Sequence, residues 1–66
     1  MNEFSLLVTG ADMHLTRAQL EAIMARAGEI GGTLEVSPAG FGTVRVVEPG
    51  GAELLYRPDG HADRMG

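Results

Sequence analysis

The sequence contains no cysteine and no lysine, and its only aromatic residues are Phe4, Phe41 and Tyr56. Without cysteine, neither a disulfide framework nor a thiolate metal site can hold the chain together. A cysteine-free chain is compatible with a reducing cytoplasm. Without lysine, all positive charge rests on Arg17, Arg26, Arg45, Arg57 and Arg64, spread among nine acids for a formal net charge of −4. Such a balance repels phosphate backbones unless the arginines cluster. The missing lysines, together with ten glycines, have the look of a GC-rich coding bias. Long hydrophobic runs are absent as well. Phe4 to Val8 is too short for a signal-peptide core or a membrane span, and Met1-Asn2-Glu3 places no basic region before it. These absences lead to the expectation of a cytoplasmic protein without a membrane partner.

What is present is aliphatic material. Hydrophobic residues make up 44% of the 66 positions, enough for a core and too much for a disordered chain. The length has room for one domain. A domain of this size buries only about 60% of its unfolded surface, so its stability is marginal.

Phe4, Leu6 and Val8 alternate with Ser5, Leu7 and Thr9, the period of a first strand over residues 4–9. Gly10-Ala11-Asp12 ends it. Thr16-Arg17-Ala18-Gln19 has the pattern of a capping box, and Leu15 and Leu20 that of a hydrophobic staple. A helix is predicted from Arg17 to Ala27, with Leu20, Ile23, Met24 and Ala27 as its buried stripe and Gly28 as a left-handed C-cap. Strands are predicted over Thr33–Ser37, Thr43–Glu48 and Ala52–Arg57, with turns at 38–42 and at Pro49-Gly50-Gly51. Pro58-Asp59-Gly60 stops the last strand. The reading is one α+β domain over residues 1–60 in the order β-α-β-β-β, with residues 61–66 as a mobile tail. One amphipathic helix packs on one face of a small, mostly antiparallel sheet.

The alternation assigns Leu7, Val47 and Leu55 to the face away from the helix, with Glu35, Glu53, Arg45 and Arg57 around them. A contiguous apolar patch there, rimmed by charge, would mark a partner or dimer interface. An exposed sheet edge beside an apolar face is also what a homodimer needs.

Sets that could carry catalysis are sparse. Asp12-Met13-His14 and His61-Ala62-Asp63 could offer two imidazoles and two carboxylates to a metal, yet neither has a known ligand spacing. Ser5 lies mid-strand and Ser37 precedes Pro38, so neither resembles a nucleophile elbow. Glu21, Glu29, Glu35, Glu48 and Glu53 read as solvated surface or edge positions. The glycines at 28, 31 and 32 follow a helix rather than precede one, so they form no phosphate loop. No cofactor is expected.

Gly40-Phe41-Gly42-Thr43-Val44-Arg45-Val46 resembles the third-strand octapeptide of the RNA-recognition motif family, and the β-α-β-β order before it is similar too. The resemblance implies that Phe41 stacks on a base, with Arg45 and Arg57 nearby. Ala39, Thr43, Val46 and Leu7 depart from that pattern, and too few residues follow Glu48 for the family's second helix and fourth strand.

Small size, acidity, the apolar row and the lack of a convergent catalytic set point to a non-catalytic protein-binding module. One concrete version is a phage- or mobile-element-encoded inhibitor of a host nucleic-acid-binding complex. Glu3, Asp12, Glu21, Glu29, Glu35, Glu48, Glu53, Asp59 and Asp63 would supply its field. Direct nucleic-acid binding through Phe41, Arg45 and Arg57 is the alternative. An enzyme or metal module using His14 and His61 is the third class.

Overall fold

The computed structural model describes residues 2–10 and 13–65. Strand β1 spans Phe4–Val8, helix α1 Arg17–Ile30, and strands β2 to β5 span Gly32–Gly40, Thr43–Val47, Glu53–Tyr56 and Ala62–Met65. The helix starts where the capping box places it. Thr16 Oγ1 accepts from the Gln19 N–H at 3.1 Å, and Gln19 Oε1 accepts from the Thr16 N–H at 2.9 Å. Its end lies three residues beyond the predicted one, at Gly31 rather than Gly28. The segment before β1 explains the extension. The Asn2 N–H donates to Gly28 O at 3.0 Å and its side-chain amide to Glu29 O at 2.6 Å, satisfying carbonyls that a helix end otherwise leaves open.

The buried stripe is also rotated from the predicted one. Gln19, Ile23 and Ala27 are fully buried, whereas Leu20 and Met24 remain 44% and 43% exposed. Hydrophobic spacing had no reason to place a glutamine inward. Gln19 goes there because its Nε2 donates to Gly42 O at 2.7 Å and to Tyr56 O at 3.1 Å, which compensates its burial.

The sheet order is β1-β2-β3-β4-β5, with β1 parallel to β2 and every later pair antiparallel. A β-α-β unit is thus continued by a meander, and the order is β-α-β-β-β-β. Leu34, Val36, Val44, Val46 and Tyr56 from the sheet meet Ile23 and Ala27 from the helix in one core. Burial pushes the Tyr56 phenol up from its ordinary pKa.

Two readings change. Residues 62–65 are strand β5, not a mobile tail. The turn chemistry at Asp59-Gly60 folds them back: Asp59 Oδ1 accepts from the His61 N–H at 2.8 Å, and the Gly60 N–H donates to Arg57 O at 2.8 Å. Gly60 has φ +89, and a Cβ there would lie 2.7 Å from Ala18 O, so this turn also closes under the start of the helix. Pro38 and Ala39 belong to β2 rather than to a turn, because a bulge between Pro38 and Gly40 accommodates the proline within the ladder. Of the segment Gly10-Ala11-Asp12, Ala11 and Asp12 lie outside the described residues.

Candidate functional site

With β2 extended to Gly40, the connection to β3 shrinks to Phe41 and Gly42. Gly40 pairs with Thr43 across it. Phe41 has φ 55 and Gly42 φ 75, the left-handed pair of a type I′ turn. This turn selects Asn-Gly, because a bulky side chain is strained at positive φ. Phenylalanine is therefore a costly choice here, and its ring gains nothing from its own fold: Phe41 is 103% exposed. Around it stand Ala39, Gly40, Gly42, Thr43 and, beside Gly42, Pro58. Apart from the ring, the tip is small and uncharged.

The face away from the helix carries the other predicted residues. Register places Leu7, Glu35, Val47, Glu53 and Met65 in one row across all five strands, and Ser37, Arg45, Leu55 and Asp63 in the next. The expected apolar residues are all on this face, but Glu35 separates Leu7 from Val47. Val47 and Leu55 are neighbours on the diagonal and half-buried. The charges do not rim them; they interleave. Arg45 Nη2 meets Glu53 Oε1 at 2.5 Å, and Arg57 grips both oxygens of Asp63 at 2.6 and 3.1 Å. Arg45 and Arg57 are therefore each engaged by a carboxylate.

Glu48 is not the exposed acid the pattern suggested. It is 7% exposed and takes a two-pronged grip from Arg26, Nε to Oε2 at 2.8 Å and Nη2 to Oε1 at 3.1 Å. These hydrogen bonds hold its carboxyl below the ordinary carboxylate range, and they raise the Arg26 guanidinium in turn. Sequence spacing gave no sign of this pair, since 22 positions separate its members. It is a strut between the helix and the β3–β4 turn.

The two histidines are not brought together in a site. His14 is exposed, and His61 lies 3.4 Å from Asp63. Asp12, the remaining member of the proposed ligand set, lies outside the described residues. Among the described residues, no group of three or more His, Cys, Asp or Glu side chains is placed to hold a metal ion. A groove of about 660 Å³ is lined by Asn2, Phe4, Met24, Ala25, Gly28 and Glu29, between the helix and the β1 edge. Glu29 is its sole ionisable group, so it is an apolar trough rather than a reaction centre.

Fold and surface together define a one-helix α+β domain with its irregular features concentrated at a hairpin tip. Where the RNA-recognition motif resemblance called for a second helix after the third strand, the chain makes the β4–β5 hairpin, and Phe41 sits at the tip rather than on the sheet face. Compared with family models, curated proteins and solved structures, the chain matches none. Among the described residues, no helix is long and apolar enough to cross a membrane.

Proposed function

We propose that this chain is a non-catalytic protein-binding module that seats Phe41 in an apolar pocket of a protein partner. The observation that carries this reading is the ring itself, fully exposed on a left-handed residue. Local rules are broken where binding, not folding, selects the residue. Large side chains that fill a desolvated pocket of the partner, aromatic ones prominent among them, carry most of the energy of such interfaces. The half-buried Val47 and Leu55, with the Arg45–Glu53 and Arg57–Asp63 pairs, would form a more polar second contact surface.

Net charge favours a basic partner. The finer version is an inhibitor, of phage or mobile-element origin, that occupies a basic channel of a host complex in the cytoplasm. Base stacking on Phe41 is the second reading and rests on the same ring. Against it, both neighbouring arginines already hold carboxylates, which leaves little to attract a phosphate backbone.

Phe41→Asn separates binding from folding. Asparagine suits the first position of the turn, so the variant should be more stable than wild type by about 0.5–1 kcal/mol. Protein captured from nuclease-treated bacterial lysate should fall at least tenfold. Capture unchanged by Phe41→Asn would overturn the anchor. Capture that disappears with nuclease, for wild type, would transfer the function to nucleic acid.

A further inference from the structure

Strand β1 ends the sheet, and among the described residues no strand pairs with its outer backbone. The phase of its one ladder follows from two bonds, Gly32 N–H to Glu3 O at 3.1 Å and Thr9 N–H to Val36 O at 2.9 Å. In a parallel ladder these turn the odd residues toward β2 and leave the N–H and C=O of Phe4, Leu6 and Val8 facing outward. Natural edges are blunted by charge, proline, a bulge or brevity. Residues 4–8 contain no charge and no proline, and their register with β2 is unbroken.

The helix-facing side of this edge is apolar, and on the other face Leu7 stands beside Ser5, whose hydroxyl is tied to Thr33. Leu7 and Val8 are each 51% exposed, and Leu20 and Met24 extend the strip along the adjoining flank of the helix. Phe4 and Met24 line the open groove below. Helix charges near this flank are already satisfied, Arg17 by Glu21 at 3.0 Å and Arg26 by Glu48 and Glu29.

We infer that the occupant of this edge is a second copy of the chain, paired antiparallel through β1 about a two-fold axis at Leu6. The strand is complementary to itself in this register. Leu6 faces Leu6 of the other copy, and Phe4 faces Val8 in both directions. Each of these pairs exchanges two backbone hydrogen bonds, so every outward N–H and C=O of residues 4, 6 and 8 finds a partner. The two sheets join into one with both helices on the same face. The Phe4-Leu6-Val8 rows then lie side by side between the two Leu20–Met24 flanks.

Charge agrees with the arrangement. Because α1 runs back against β1, its N-terminal end lies over the Val8 end of the strand, and the antiparallel partner brings Glu3 toward that end. Glu3 has no ion-pair partner among the described residues, whereas the positive pole of the helix stands there. A standard interface buries about 800 Å² per partner, about a fifth of this chain's 4292 Å² surface, which one side of the molecule can supply. A chain of this size also gains from a larger shared core.

Sedimentation equilibrium over a dilution series, with amide hydrogen exchange, tests the proposal. Wild type should sediment at twice the chain mass, with the Phe4, Leu6 and Val8 amides protected. Val8→Lys places a charge on a half-exposed edge position and should halve the mass, keep the circular dichroism and expose those three amides to exchange. The edge substitution Met65→Lys on β5 should leave the dimer intact, as should Phe41→Asn, so this result stands apart from the anchor reading. A wild type that stays at the chain mass at every concentration overturns the proposal, including the case in which an extended segment of another protein takes the edge. A dimer in which the Phe4, Leu6 and Val8 amides exchange freely, or one that persists in Val8→Lys, overturns it equally. Should Val8→Lys lose its fold, the exchange pattern of the wild type alone decides.

Discussion

Strands β1 and β5 both end the sheet, yet the chain treats them differently. β5 is four residues long, carries Asp63 and Arg64, and ties Asp63 to Arg57 and His61. It is an edge defended by charge and brevity. β1 is uncharged throughout and borders an apolar groove. The helix shows the same asymmetry. Its ties run to the β3–β5 side: Thr16 Oγ1 donates to Pro58 O at 2.6 Å, Gln19 to Gly42 and Tyr56, Arg26 to Glu48, and Ala18 sits against Gly60. On the β1 side, Asn2 alone caps its last turn. The polar ties of the helix run to the β3–β5 side, whereas its backbone comes nearest to β1, where the contact is apolar: Phe4 and Leu6 pack against the core while Val8, Leu20 and Met24 stay half-exposed.

That contrast can be broken at its strongest tie. Gln19→Ala removes half of the capping box and the side-chain donor to Gly42 O and to the buried Tyr56 O. Urea denaturation should report a loss of about 2–3 kcal/mol. A loss below about 1 kcal/mol would mean that apolar packing, not this side chain, positions the helix. Gly60→Ala strikes the same side through the backbone. Its φ of +89 and the 2.7 Å approach to Ala18 O predict a loss of about 1–3 kcal/mol in the same measurement.

Acid loosens the third tie. Glu48 has its folded pKa lowered from 4.5, chiefly by the Arg26 hydrogen bonds. Its contribution is therefore fully present above the unfolded value and is lost as pH falls through the folded one. Thermal melts from neutral pH downward should show this decline, and Glu48→Gln should flatten it while lowering stability at neutral pH. An unchanged acid limb in Glu48→Gln would assign the decline to other carboxylates. The smallest effect belongs to the defended edge. Asp63→Ala removes exposed ion pairs and should cost under about 1 kcal/mol, seen as faster exchange of the β5 amides with little change in the global melt.

Much of this architecture is legible in the residues. The capping box at Thr16 and Gln19, the alternation of Phe4-Leu6-Val8 and Val44-Val46, and the glycine- and proline-marked turns give one helix on one face of a small sheet. The errors have a common cause. The buried face of the helix departs from the predicted Leu20-Ile23-Met24-Ala27 stripe because spacing counts apolar residues and does not see the carbonyls of Gly42 and Tyr56, which lie 23 and 37 positions from Gln19. Glu48 was assigned to the surface because its partner, Arg26, is equally distant in sequence. Residues 62–65 were read as a tail because a single short strand has no period of its own until β4 lies beside it.

The candidate surface divides in the same way. Leu7, Val47 and Leu55 were placed on the correct face by alternation alone. Whether they touch depends on register, and register puts Glu35 between Leu7 and Val47. Phe41 stood out as an aromatic between glycines, but its meaning comes from the bulge that extends β2 to Gly40 and forces Phe41 into a left-handed turn position.

By itself, the sequence determined what each segment could become: local periodicity, capping and turn chemistry act over a few residues and need no partner. Tertiary structure decided where the helix makes its polar ties and which residues it buries. Those outcomes depend on hydrogen bonds and ion pairs between residues more than twenty positions apart, and such pairs exist only once the strands have been brought into register.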